Sequence, residues 1–426
     1  MYKSILKNKS FLGYWGSTTL MRLASNMLQF ALALFVLDLT GSALIFSTVL
    51  SAIIFPRIIG TPIAGYLADY KDCLRILKLG ALGLTALMLS FFLIHTLITP
   101  LNISLIYVLV ICLELCETLI SASEMKAVIC IVDENQIAAA SKLSSLDDGI
   151  VEILSPVIAG FAYGLFGIQA VLLATLVSEL VAFLLTLMLR DRAKNMTENP
   201  GVMNKQSLFH EAMTSYKEAI VSLQEYNYVL GVILFAPLFN FFVSPLFSVT
   251  VPHFIRITTK SSIEIYTAYN LALGIASVVA PFIAMWLIRD KAEHKANLRG
   301  TIIYAFLMLI LSFVTQSFSS IQPATLLSII AGAMVLAVII ITLMSIATTI
   351  TVKTSIPEQV LGRIASIIQL CAIVSTPLGQ LLYGYFADRF PIFLSFACSS
   401  LGLLATYVIM KKTYKKLKRE KQKNGY

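Results

Sequence analysis

Charged side chains inside long apolar runs are the residues of this sequence most able to do chemistry. Residues 11–37 carry Thr18, Arg22, Ser25, Asn26 and Gln29. Spacings of i, i+4, i+7, i+8 and i+11 put all five on one face of a helix. Residues 103–127 carry Glu114, Glu117 and Glu124, again on a shared face, and residues 139–166 carry Asp147, Asp148 and Glu152. Each ionisable group in such a segment costs a few kcal/mol or more to place in lipid, so it marks a pathway or a partner. Two neighbouring carboxylates, Glu114 and Glu117, repel in a low dielectric, and exchange of a proton or a cation is the chemistry that repulsion favours. The pathway expected from these patterns comprises Arg22, Asn26, Gln29, Glu114, Glu117, Asp148 and Glu152, with Arg22 as its fixed cation. Arg57 either snorkels or pairs with a carboxylate, and the isolated Glu179 reads as a structural acid.

Other chemistries find little support. No Gly-x-x-x-x-Gly-Lys loop is present to cradle a nucleotide phosphate. Cys112 and Cys116 share a helical turn, but His95, His210, His253 and His294 are scattered, so no metal site is expected. No catalytic constellation emerges, and an enzyme is not expected. The second half offers softer groups, Asn240, Tyr269, Asn270, Gln369 and Gln380, together with Phe235, Phe239, Phe241 and Phe242. An acidic wall facing an aromatic one suits large amphipathic molecules, especially cations, although an aromatic run of this kind is more often core packing than ligand contact.

The elements that must position these residues are membrane spans. Of 426 residues, 58% are hydrophobic and only 13% charged, with a mean hydropathy of +0.84. A soluble domain carries about 25% charged residues, so a soluble multidomain enzyme is excluded, and six scattered cysteines exclude a disulfide scaffold. The apolar runs give twelve expected spans, at about 11–37, 43–67, 76–98, 103–127, 139–166, 168–189, 228–252, 264–288, 301–320, 325–350, 361–386 and 391–410. Lys71, Arg75, Lys78, Lys126, Lys142, Arg190, Arg192, Lys194, Arg289, Lys291, Lys295, Arg299 and the tail fall on one side, against Arg256, Lys260 and Arg389 on the other. The positive-inside rule then puts both termini in the cytoplasm. The net charge of +9 is therefore topology and contact with anionic lipid, and no nucleic-acid partner is expected. The first apolar run is too long for a signal peptide and carries Arg22 at its centre, so it reads as a retained helix.

The expected organisation is an N-terminal six-helix half at 1–189, a cytoplasmic connection at 190–227, a C-terminal half at 228–410 and a basic cytoplasmic tail at 411–426. Within the connection Phe209, Met213, Tyr216, Ile220 and Leu223 fall at helical spacing, as in a helix lying on the membrane or on the bundle ends. The halves carry a faint repeat. Pro156 and Pro377 lie 221 positions apart, and the same offset relates Lys142 to Arg363 and Asp69 to Asp290. Pro156 and Pro377 are expected hinge or packing points. Parallel six-span halves are one repeat plan of secondary transporters.

Two such halves, with "GYLADYKDCLRIL" after the second span, resemble the major facilitator superfamily. Gly65, Leu67, Ala68, Asp69 and Arg75 fit or nearly fit its loop pattern, whereas Tyr70, Asp72, Cys73 and Leu74 depart. "VDENQIAAASKLSSLDDGIVEILSPVIAGF", "LQFALALFVLDLTGSAL" and "IPEQVLGRIASI" resemble its macrolide-efflux branch. The resemblance implies an all-α integral membrane protein of twelve transmembrane helices in two pseudo-symmetric halves. It also implies that Asp69, with Arg75, forms a cytoplasmic gate. A carboxylate there could accept hydrogen bonds from the amino end of the eleventh span, near Leu361 to Arg363. Where related exporters carry an arginine in span four, this sequence has Leu113 and Glu114.

The function expected is export of amphipathic drug-like compounds, macrolide-like ones among them, by proton antiport across the cell membrane. The proton gradient is the energy source, with no cofactor, and the partners are a small-molecule substrate, protons and lipids, the chain acting as a monomer. Export of an endogenous metabolite, siderophore or lipid is the alternative; a non-transporting receptor is a third, disfavoured by the buried charge.

Overall fold

The computed structural model describes residues 5, 8–70, 72–132, 134–189, 227–287, 293–317, 321–355 and 358–423. The expected amphipathic segment 209–223 and the connection around it lie outside them. Among the described residues the chain is helical, with no strand. The elements are α1 (Lys9–Thr40), α2 (Ala43–Ala52), α3 (Ile54–Tyr70), α4 (Cys73–Leu93), α5 (Ile103–Ile131) and α6 (Glu134–Thr186), then α7 (Asn227–Pro245) and the short α8 (Val251–His253). They continue as α9 (Ile263–Leu287), α10 (Glu293–Gln316), α11 (Pro323–Ser355), α12 (Glu358–Arg389) and α13 (Ile392–Lys423).

Local chemistry sets these boundaries. The Asn8 side chain accepts from the Ser10 and Phe11 amides to start α1, and Asp72 accepts from Leu74 and Arg75 to start α4. Gly41 ends α1 with φ 64°, its amide returning to the Leu37 carbonyl, a conformation that needs glycine. The second expected span is broken between α2 and α3, where Pro56 has no amide for the Ala52 carbonyl. Residues 139–186 run as part of one long helix, α6, interrupted only at Gly167, where φ is 74°. That interruption falls between the expected fifth and sixth spans.

Ten helical segments are long and apolar enough to cross a membrane, counted over the described residues. The expected number was twelve. The expected fifth span enters this count only through Leu154–Thr186, and the eleventh, in α12, is helical without joining it. Large apolar side chains face outward along these helices, among them Phe161, Leu165, Phe166 and Phe282. A surface of this kind has lipid as its solvent.

The chain divides into two compact units. The first comprises Met1–Gly41, Val49–Gly201 and Ser262–Leu271; the second comprises Ser42–Thr48, Val202–Ser261 and Ala272–Tyr426. In the first, α1 packs along α6, α4 packs on α5 and α6, and α3 packs on α5. In the second, α10 packs on α13 and α11, and α7 packs on α12 and α13. The 221-residue offset carries the start of α5, Ile103, to 324, one residue from the start of α11 at Pro323. It carries the start of α4, Cys73, to 294, one residue from the start of α10 at Glu293.

Candidate functional site

Helix α5 brings its three glutamates to three different neighbours within the first unit. Glu114, 3% exposed, receives two parallel hydrogen bonds from Arg57 of α3: Nε to Oε1 at 2.6 Å and Nη2 to Oε2 at 3.1 Å. This two-pronged pairing fixes both groups in orientation as well as in charge. One turn on, Glu117 Oε1 accepts from the Ser25 hydroxyl of α1 at 2.5 Å. Towards the end of α5, Glu124 Oε2 lies 3.7 Å from Arg22 Nη2, and the Glu124 carbonyl accepts from the Tyr14 hydroxyl at 3.2 Å. Two of the three carboxylates therefore face a guanidinium. Among the described residues Glu117 is held by a hydroxyl and has no ion pair.

The residues of the expected pathway take individual partners in the structure. Arg22 is matched to Glu124, not to Glu114 or Glu117, because the register of α1 on α5 places it nearer the end of that helix. Arg57 is the cation of Glu114. Ser25 extends from the polar stripe of α1 to Glu117, while Asn26 and Gln29 are exposed. Thr18 is buried and bonds back to the Tyr14 and Trp15 carbonyls of its own helix. Glu179 of α6 is 1% exposed, and its Oε2 has no hydrogen-bond partner among the described residues. The Glu179 carbonyl accepts from the Thr85 hydroxyl of α4 at 3.1 Å.

Asp69, Asp148 and Glu152 lie on helices α3 and α6, with side chains outside the described residues. Arg75 is exposed in the first turn of α4 and lines a cavity of about 360 Å³ with Asp72, Ile76, Leu79, Gly80, Cys116 and Leu119. Pro156 sits within α6 and Pro377 within α12, and both helices continue through them.

The soft groups expected to face a ligand from the second half mostly bond within their own surroundings. The Asn240 and Asn270 amides donate to carbonyls one turn back, Ala236 and Tyr266, and Gln380 Nε2 donates to Ser248 Oγ at 3.2 Å. The Phe235 ring lies tilted against Phe239, with centroids 5.3 Å apart, Phe239 meets Tyr304 edge-on, and Phe235 packs with Met344 and Met410. These rings are core.

A second polar cluster lies in the second unit. The Asp388 carboxylate at the end of α12 accepts from Ser42 Oγ at 2.5 Å and from the Ala43 and Leu44 amides at 2.6 and 3.1 Å. His253 Nε2 stands 3.7 Å from its Oδ1. A carboxylate distant in sequence thus caps the amino end of α2. Gly384, one turn earlier on α12, leaves room for Ser47 of α2, where a Cβ would collide with its hydroxyl. The sequence reading passed over this group because Asp388 stands at a span end, where an acid is unremarkable. The signal for α2's start, Ser42 after Gly41, was present.

Comparison with known proteins places the architecture. The model of the Major Facilitator Superfamily matches residues 14–379. A search of curated proteins returns no match. Solved structures are similar over nearly the whole chain. A nucleoside transporter aligns with a TM-score of 0.73 at 9% identity, covering 95% of this chain and 99% of its own. A D-xylose–proton symporter gives 0.68 at 12%, covering 96% and 97%. A bacterial homologue of the iron transporter ferroportin, in an inward-facing state, gives 0.67 at 14%, covering 96% and 99%. Identities this low carry the fold alone.

Proposed function

The chain belongs to the major facilitator superfamily and is a multi-pass membrane transporter, and from that premise we propose that it exports amphipathic drug-like compounds, macrolide-like ones included, by proton antiport. The observation that carries the coupling is the unequal pairing along α5. Glu114 and Glu124 each have an arginine, whereas Glu117, between them, is held by the Ser25 hydroxyl. A carboxylate without a resident cation can trade a proton for a cationic group of a substrate, since binding one disfavours the other. The stripe of α1 supports the same reading, because Asn26 and Gln29 remain exposed beside Ser25 for contact with polar parts of a ligand. In this proposal the protein works as a monomer in the cell membrane with both termini cytoplasmic, Asp69 and Arg75 close the cytoplasmic side, and the proton gradient replaces any cofactor.

The test is transport by purified protein in proteoliposomes, screened over chemically diverse amphipathic cations with and without an imposed pH gradient. Efflux should rise with the gradient. Glu117→Gln should lower the gradient-driven rate at least about ten-fold, a barrier change of about 1.4 kcal/mol, while leaving binding of the cation measurable. Gradient-driven flux unchanged in Glu117→Gln would remove Glu117 from the coupling, and flux indifferent to pH would overturn antiport.

A further inference from the structure

Two cysteines outside the carboxylate site meet where α4 begins and α5 finishes. Cys73 is the first residue of α4, directly after its capping Asp72, and Cys130 is the penultimate residue of α5. Their sulfur atoms are 3.3 Å apart, across 57 positions of sequence. Neither is joined in a disulfide. Cys73 is one of the positions at which the α3–α4 turn departs from the family's loop pattern. Cys112 and Cys116, by contrast, lie earlier in α5, within the helix and away from its end.

We propose that Cys73 and Cys130 form an oxidant-sensitive dithiol, a site that hydroperoxides modify to a disulfide. The two sulfurs differ in access: Cys73 is 6% exposed and Cys130 is half-buried. Access favours Cys130 as the thiol that meets the oxidant. Its sulfur takes the terminal oxygen of a hydroperoxide, giving a sulfenic acid and releasing water, or an alcohol from an organic hydroperoxide. The Cys73 sulfur, already within van der Waals reach, then attacks the Cys130 sulfur. The S–S bond forms, the S–O bond breaks, and the hydroxide leaves as water with the proton given up by Cys73. Two thiols are oxidised by two electrons, and one peroxide is reduced. The product ties the start of α4 to the end of α5, and so holds the turn on which Asp72 and Arg75 stand. Reduction by a dithiol restores the pair.

The experiment uses the full chain, purified in detergent and treated with hydrogen peroxide. Free thiols are then alkylated and the protein is digested after Lys and Arg. A disulfide-linked pair of peptides, 72–75 with 127–142, should appear and should vanish on reduction. Cys112 and Cys116 should be recovered alkylated. In Cys73→Ser, peroxide should leave Cys130 as a sulfenic acid that dimedone traps, and Cys130→Ser should show no trapped Cys73. Recovery of Cys73 and Cys130 as separate alkylated peptides after peroxide would overturn the proposal, as would linkage of Cys130 to Cys112 or Cys116. Should Cys73→Ser fail to fold, Cys73→Ala carries the same test, and the linked peptide in the native protein stands independently of either variant.

Discussion

The two units share a helical plan but spend their polar groups differently. In the first, α1, α3, α5 and α6 carry Arg22, Arg57, Glu114, Glu117, Glu124 and Glu179 within the packed helices. Moved by the 221-residue offset, these positions become Val243, Val278, Val335, Val338, Ser345 and Ser400. At all six of these positions the second half thus has valine or serine. Between its helices, among the described residues, several polar contacts are neutral: Ser400 donates to the Ala305 carbonyl, Ser312 to the Phe393 carbonyl and Asn297 to Thr348. Hydroxyls and amides satisfied in this way hold helices together at little desolvation cost. Ions do not, since each must be matched or left costly. A scaffold of this kind does not need charge at these six positions to fold, so the ions that the first unit carries there point to work other than folding.

If that contrast is right, removing a cation from the first unit should hurt more than removing any polar partner from the second. Arg57→Met keeps the length of the side chain and strands Glu114, which is 3% exposed. Breaking a buried pair costs about 3–5 kcal/mol. Arg57 itself is nearly half exposed, so a reduced loss of roughly 2 kcal/mol is expected. The measurement is denaturant or thermal unfolding in one detergent. The double variant Arg57→Met with Glu114→Gln should regain most of the loss, because the stranded charge is then gone. A double variant as unstable as Arg57→Met alone would mean that packing of the guanidinium, not charge matching, is what α3 contributes.

The capping cluster is intermediate between the two styles, since it holds a charge within the second unit but at a helix end. Asp388 uses both oxygens, Oδ1 for the Ala43 amide and Oδ2 for Ser42 and Leu44. Asp388→Asn leaves one acceptor and turns an NH₂ group towards donors. A loss of about 1–2 kcal/mol follows, in the range of a helix cap. Faster amide exchange at Ala43 and Leu44 in Asp388→Asn is the direct readout, and unchanged exchange there would show that the cap does not hold α2. Asp388→Glu, which keeps both oxygens, should fall between.

Much of this contrast was legible in the sequence, and the illegible part has a physical cause. Hydropathy and period placed Arg22, Glu114 and Glu117 on helices, because those signals are local to each segment. The acid-free matching positions of the second half were also readable, through the repeat offset. The pairings were not. Whether Arg22 meets Glu117 or Glu124 depends on how far α1 is shifted along α5, and two turns of shift leave the hydropathy pattern of each helix unchanged. The same holds for Arg57, which had two readings until α3 was set against α5. Asp388 was missed for a related reason: its partners are backbone amides, which every residue has, so no residue type announces them. The phenylalanines allowed two readings, of which core packing was the more ordinary. Four rings in eight residues, from Phe235 to Phe242, suggest a binding wall, yet Phe235 and Phe239 close a core with Tyr304, Met344 and Met410.

The smallest effect should come from the neutral contacts of the second unit. Asn297 opens the apolar part of α10, is 1% exposed, and donates its side-chain amide to Thr348 of α11 at 2.9 Å. The Thr348 hydroxyl in turn donates to the Met344 carbonyl one turn back on its own helix. Thr348→Val keeps the shape and removes the oxygen, so the Asn297 amide loses its acceptor while the Met344 carbonyl keeps its helical partner. A net hydrogen bond of this kind is worth about 1 kcal/mol in water, and contacts between helices in a membrane average about 0.6. Thr348→Val should therefore lower stability by about 0.5–1 kcal/mol, less than Arg57→Met, with gradient-driven transport intact because no ion is touched. Asn297→Leu together with Thr348→Val removes both partners and should come back towards the native value. A loss in Thr348→Val as large as that in Arg57→Met, measured in the same detergent, would erase the contrast: neutral and charged contacts would then weigh alike in the two units, and the six ions of the first would no longer mark it as the working half.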